Sequence, residues 1–245
     1  MRPDPNRLGG LAWVRETGGR LSSAERRRLL GEIAKGQAVN LAGRMKLALG
    51  RLPAGAAEVD ASSFAPPDSK LAREAEQACA EQPAFVAGHS YRTWMYGLAL
   101  AALDRSDPDP ELFYCASLLH DHGIAEPQPD QDFTLRSADR ALACADDAGI
   151  GTERGEAIAD AICVHATPGV RIDRDGALGC YVQWGAMTDV AGLRLWDVSP
   201  GNREEVLRRH PREPQSQRPT AHRRRPGRSG GYRHRCCHRC GYRSR

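Results

Sequence analysis

Pro110-Glu111-Leu112-Phe113-Tyr114-Cys115-Ala116-Ser117-Leu118-Leu119-His120-Asp121 decides how the rest of the chain is read. Asp109 followed by Pro110 is an N-cap with proline at the first helical position. The run from Leu112 to Leu119 is apolar all round except for Ser117, which predicts a helix buried on every side. It ends in His120-Asp121, with Gly123 just beyond. An imidazole and a carboxylate are costly to bury without a partner. A shared divalent cation would satisfy both.

Working outward, helical periodicity continues in both directions. Upstream, Pro83 precedes a helix carrying His89, with Tyr91, Trp94, Met95, Leu98 and Ala102 on one stripe. Asp68 can cap a helix from Ser69 to about Gln82. Ser22 and Glu25 form a capping-box pattern. It opens one or two helices reaching Gly50, interrupted by Gly36 and Gly43, and residues 51–67 read as a linker. Downstream, Thr134 to Ala148 reads as a helix closed by Gly149, and Thr152 caps another that runs to His165. Pro168 to Gly176 is turn-rich, Leu178 to Trp196 is helical, and Ser199-Pro200 opens a last short helix ending near His210-Pro211. No strand alternation is found. The expected fold is all-α, a helical bundle around one core. The expected parts are an N-terminal helical extension and linker over 1–67, the main domain over 68–212, and a tail over 213–245.

Composition separates the tail from the body. Residues 213–245 hold ten arginines and one glutamate, a charge of +9, and no Leu, Ile, Val, Phe or Met. Such a segment cannot bury enough apolar surface to offset its ordering entropy and is expected to be disordered. Its abrupt change of composition is what a shifted reading frame produces. Its His234, Cys236, Cys237, His238 and Cys240 lack the two separated ligand pairs of a zinc module. Residues 1–212 carry 25 basic and 30 acidic groups, a charge of −5. This gives no nucleic-acid-binding face, and no specific nucleic-acid partner is expected. Arg26-Arg27-Arg28 reads as a solvated helix face. Cys79, Cys115, Cys144, Cys163 and Cys180 are widely spaced and read as small buried apolar residues in a reduced compartment. No apolar run follows Met1-Arg2-Pro3-Asp4-Pro5, and none approaches the ~18 residues of a membrane span. A cytoplasmic protein is expected, with a small-molecule substrate and no membrane partner.

Two further polar residues interrupt apolar stripes. His165 shares a face with Ile158, Ala161 and Ile162. Asp189 sits among Leu178, Val182, Gly185, Ala186, Leu193 and Trp196. A carboxylate centred on an apolar stripe needs a partner. An ion pair with Arg194 would provide one, and Asp197 is the rival acidic ligand. A two-His, two-Asp set with open positions suits Mn, Fe, Ni, Zn or Mg.

A histidine, a His-Asp pair about thirty positions on at the end of an apolar helix, and a later aspartate together resemble the His-Asp (HD) superfamily of metal-dependent phosphohydrolases. His89-Ser90-Tyr91-Arg92 and Leu118-Leu119-His120-Asp121 also look like the branch that includes cyanamide hydratase. The resemblance covers roughly residues 84–197. It implies an HD-domain bundle in which His89, His120, Asp121 and Asp189 are the metal ligands, and His165 assists a second metal or the substrate. His122-Gly123 and His165-Ala166-Thr167 depart from the common pattern and favour one metal over two. The mechanism expected is a metal-activated water, with His165 or His122 moving a proton. Arg92 would hold an anionic group such as phosphate, or else be a solvated charge beside Asp104 or Asp107. Asp160 is expected at the surface or behind the site. Phosphate-ester hydrolysis is the superfamily default. The alternatives are nitrile hydration and a non-catalytic metal- or nucleotide-binding module.

Overall fold

The computed structural model describes residues 7–125 and 127–212, so the expectations placed on 213–245 lie outside the described residues. In chain order the helices are α1 (Leu11–Thr17), α2 (Ser23–Ala48), α3 (Lys70–Ala80), α4 (Ala84–Leu103), α5 (Pro110–Leu119), α6 (Phe133–Ala148), α7 (Thr152–His165), α8 (Ile172–Asp175), α9 (Ala177–Ala191) and α10 (Pro200–Arg209). Three short 3₁₀ turns, Ala61–Ser63, His122–Ile124 and Leu195–Asp197, complete them. Among the described residues there is no strand, and the fold class is all-α. No described helix is long and apolar enough to cross a membrane.

α5 is the centre. The Asp109 carboxylate accepts from the amides of Glu111 and Leu112, both at 3.1 Å. Every residue from Leu112 to Leu119 is buried. A helix apolar on all sides must be surrounded, and α3, α4, α6, α7 and α9 pack around it. Each fully buried Leu or Phe of this layer stabilises by about 1.5–3 kcal/mol.

α4 and α9 approach most closely where glycines remove the side chain. A Cβ on Gly185 would lie 2.2 Å from the Thr93 carbonyl oxygen, and one on Gly97 would lie 2.7 Å from that of Tyr181. These are the two helices that carry His89 and Asp189.

Helix ends correct several sequence expectations. Ser69, not Asp68, caps α3 through the Ala72 amide at 3.1 Å, while Asp68 pairs with Arg73 at the surface. Asp132 caps α6 through the Thr134 amide at 2.8 Å. Thr152 is the first residue of α7, and its N-cap Gly151 makes no side-chain cap. α9 ends at Gly192, which takes a left-handed φ of 69°, so the expected helix to Trp196 breaks there.

α2 is one continuous helix, with both halves of the Ser22/Glu25 capping box formed. It meets the body along a narrow edge of Leu29, Glu32, Gly36, Asn40, Gly43 and Leu47, while Leu30, Leu41, Met45 and Leu49 face solvent. Gly43 is required there, because a Cβ would overlap the Trp196 ring at 2.1 Å. α1 packs on α7. Asp160 joins the two helices: it accepts from the Leu11 amide at 2.9 Å and pairs with Arg7 at 2.5 Å.

Cys79, Cys115, Cys144, Cys163 and Cys180 are free and buried. Burial pushes the thiols of Cys79, Cys163 and Cys180 up to about 12. They behave as small apolar side chains.

Candidate metal centre

Two helix ends create the site. His120 follows the last residue of α5, and His165 is the last residue of α7. Each ring turns back on its own helix. His120 Nδ1 donates to the Ser117 carbonyl at 2.8 Å, and His165 Nδ1 donates to the Ile162 carbonyl. A carbonyl oxygen only accepts, so Nδ1 is the donor in both rings and Nε2 is the nitrogen turned toward the other site residues. The carbonyl ends of two helices also carry partial negative charge, which favours a cation beyond them.

His89 reaches the same point from α4. Its Nδ1 donates to Asp189 Oδ2 at 2.7 Å, which again frees Nε2. That Nε2 faces His120 Nε2 at 3.3 Å. Asp121 closes the set. Its Oδ2 lies 3.3 Å from His120 Nε2 and 3.6 Å from His89 Nε2, and its Oδ1 lies 3.4 Å from His165 Nε2. Two imidazole nitrogens aimed at each other beside a carboxylate need a positive charge among them, a proton or a metal ion. His89, His120 and Asp121 form a group that can hold a metal ion, with ligand atoms all within 4.8 Å of one another. Nitrogen and carboxylate donors of this kind suit borderline divalent metals.

The charges at the site reflect this crowding. Burial alone would raise the Asp121 carboxyl, but the charge and hydrogen bonds of His120 and the hydrogen bond of His165 outweigh it and hold it well below the carboxylate range. Burial lowers His89 despite its bond to Asp189. His120 is buried more deeply still, yet Asp121 beside it tips its proton affinity upward.

Asp189 is placed differently from the ligand the resemblance implies. It lies on the Nδ1 edge of His89, away from Nε2, and its other oxygen accepts from Arg92 Nε at 2.9 Å. Burial raises its carboxyl, but the bonds from His89 and Arg92 prevail and lower it. In this arrangement Asp189 orients His89 and lies outside the His89, His120 and Asp121 group.

Arg92 is not a solvated charge beside Asp104 or Asp107, and it does not line the cleft. It is buried behind His89, on Asp189 and on the carbonyls of His210 and Pro211. His122 points away from the site and pairs with Glu81 at 3.0 Å. The chain turns sharply after Asp121, because Gly123 lies under the Phe133 carbonyl, where a Cβ would come within 2.1 Å. Arg194 binds Asp104 and Asp197 rather than Asp189.

The centre opens into a cleft of about 460 Å³. Its floor holds His89, His120, Asp121 and His165. Its walls include Phe133 at the start of α6, Gln183, Ala186 and Met187 from α9, and Ile33, Gly36 and Asn40 from α2. Among the described residues that line it, Glu32 and Asp121 are charged and none is Lys or Arg. The α2 wall was not expected, because Leu30, Leu41, Met45 and Leu49 face solvent and, apart from Ile33, the α2 residues on the cleft are polar or small.

No protein-family model matches this chain, and a search of curated proteins finds no match.

Proposed function

We propose that this protein is a metal-dependent hydrolytic enzyme of the HD type acting on a small molecule. The supporting observation is the convergence of three imidazole Nε2 atoms on Asp121, at the floor of a cleft with mainly uncharged walls. His89, His120 and Asp121 would hold the cation. A divalent cation there supplies an acidified water and polarises a substrate atom. Asp189 keeps His89 in the Nδ1–H form, and the Ser117 carbonyl does the same for His120.

His165 is the proton carrier in this reading. Its Nδ1 is committed to the Ile162 carbonyl, and its Nε2 stands at the cleft floor, so one nitrogen is fixed while the other accepts and returns a proton. The Gln183 amide donates to the carbonyls of His165 and Thr167 and holds this end of α7 in place.

The cleft favours an uncharged substrate. Phosphate recognition ordinarily uses Arg or Lys, and the described residues of the lining include neither. Arg92, the cation nearest in sequence to His89, is spent on Asp189. Hydration or hydrolysis of a small neutral molecule, nitrile hydration included, therefore fits better than the phosphate-ester default. Turnover assays with cyanamide and other small nitriles or amides, set beside nucleotides and p-nitrophenyl phosphate, test this. The expected result is metal-dependent turnover of a neutral compound that the His120→Ala/Asp121→Ala variant lacks. Turnover confined to phosphate esters would overturn the substrate reading. Full metal occupancy with no turnover of either kind would favour the non-catalytic module.

A further inference from the structure

Asp189 is gripped from behind by Arg212, the last of the described residues. Arg212 Nη2 donates to the Asp189 carboxylate at 2.6 Å and to the Asp189 main-chain carbonyl at 2.7 Å. One guanidinium thus bridges the backbone and the side chain of the same residue, which fixes the direction of the carboxylate. The segment carrying Arg212 is anchored in turn. Arg92 Nη1 donates to the carbonyls of His210 and Pro211, both at 3.3 Å, and the His210 ring stacks on Tyr91 at 4.7 Å with 6° between planes. Arg92 also holds Asp189 directly at 2.9 Å. The contacts close a circuit: Arg92 to the 210–211 backbone, then Arg212, Asp189 and back to Arg92.

That circuit faces one ring. With Oδ1 taken by two arginines, Oδ2 is left to His89 Nδ1. The two arginines oppose its swinging round toward Nε2 and the metal position. Arg212 is itself half-exposed while the Asp189 side chain is almost fully buried, so its worth as a surface ion pair is small. Its effect is on orientation.

We propose that Arg212 is a positioning residue for the candidate metal centre, acting through Asp189 to aim His89 Nε2 at the ion. This rests on the metal reading above. It ties the chain immediately before the arginine-rich tail to the metal affinity of the site.

The test uses the full chain. Co(II) is titrated into wild type, Arg212→Ala, Arg212→Lys and His120→Ala/Asp121→Ala, followed by the visible d–d bands. The double variant supplies the background from any other cobalt-binding groups, and the melting temperature of each metal-free protein is measured alongside. Loss of a partner behind a metal ligand typically weakens binding by about 10- to 100-fold, and about tenfold is expected for Arg212→Ala, with altered band positions. Arg212→Lys restores part of both, because an ammonium still pairs with the carboxylate. Wild-type affinity and spectrum in Arg212→Ala would overturn the positioning role while leaving the metal centre standing. A wild-type spectrum equal to that of the double variant would overturn the metal reading, and the positioning role with it.

Discussion

Replacing Gly185 by alanine probes the joint that brings His89 and Asp189 together. The added Cβ would lie 2.2 Å from the Thr93 carbonyl oxygen and 3.0 Å from the Gly97 amide nitrogen, and ordinary contact begins at 3.4 Å. Both neighbours are backbone, so no side chain can swing aside, and α9 must part from α4 by roughly 1 Å. Overpacking of this kind costs about 1–3 kcal/mol. At about 2–4 °C per kcal/mol for a body of this size, the melting temperature falls by roughly 2–12 °C. The same shift stretches the 2.7 Å bond between His89 and Asp189 past the ~3.2 Å limit of a good hydrogen bond. Metal affinity then drops by about tenfold. Differential scanning calorimetry and a metal titration read the two effects. Gly185→Ala with the melting temperature and metal affinity of wild type would refute the claim that this crossing sets the site.

Gly31→Ala is the matching control: its Cβ meets nothing within 4 Å, so denaturant unfolding should show a gain of about 0.5–1 kcal/mol from helix propensity alone. His165→Ala should retain the metal in elemental analysis while kcat falls by about 10²–10⁴-fold. His122→Ala, whose ring lies on Glu81, should leave kcat and KM within twofold of wild type. Alkylation with iodoacetamide at pH 8, followed by peptide mapping, should leave Cys79, Cys163 and Cys180 unmodified in the native protein and label them after unfolding, since burial holds these thiols near 12.

The buried framework was legible because it rests on local signals. Asp109-Pro110 and the run after it specify α5, and Ser22 with Glu25 specifies the start of α2. His120 and His165 were legible for the same reason: each is a polar residue closing an apolar helix, and only a few turns of sequence are needed to see it. What sequence could not reveal depends on long-range direction. Asp189 lies on the correct stripe, but whether it meets the Nε2 or the Nδ1 edge of His89 depends on Arg92 and Arg212, one of them 23 residues away. Arg92 lies one turn beyond His89, where the sequence allows an anion holder or a solvated charge, yet it turns to the buried Asp189 carboxylate. His122 adjoins the His-Asp pair in sequence, but the sharp turn at Gly123 sends it to the opposite side. The contribution of α2 to the cleft was hidden because Leu30, Leu41, Met45 and Leu49 point outward, and apart from Ile33 the residues it turns to the cleft are polar or small.

The metal centre itself is tested most directly by elemental analysis of the full chain, purified and dialysed against a trace divalent metal, beside His120→Ala/Asp121→Ala treated identically. The geometry at Asp121 calls for one ion more per chain in wild type than in the double variant. Equal metal in the two proteins would mean that the three imidazoles and the carboxylate satisfy one another without an ion, and the enzyme reading would have no centre to act from.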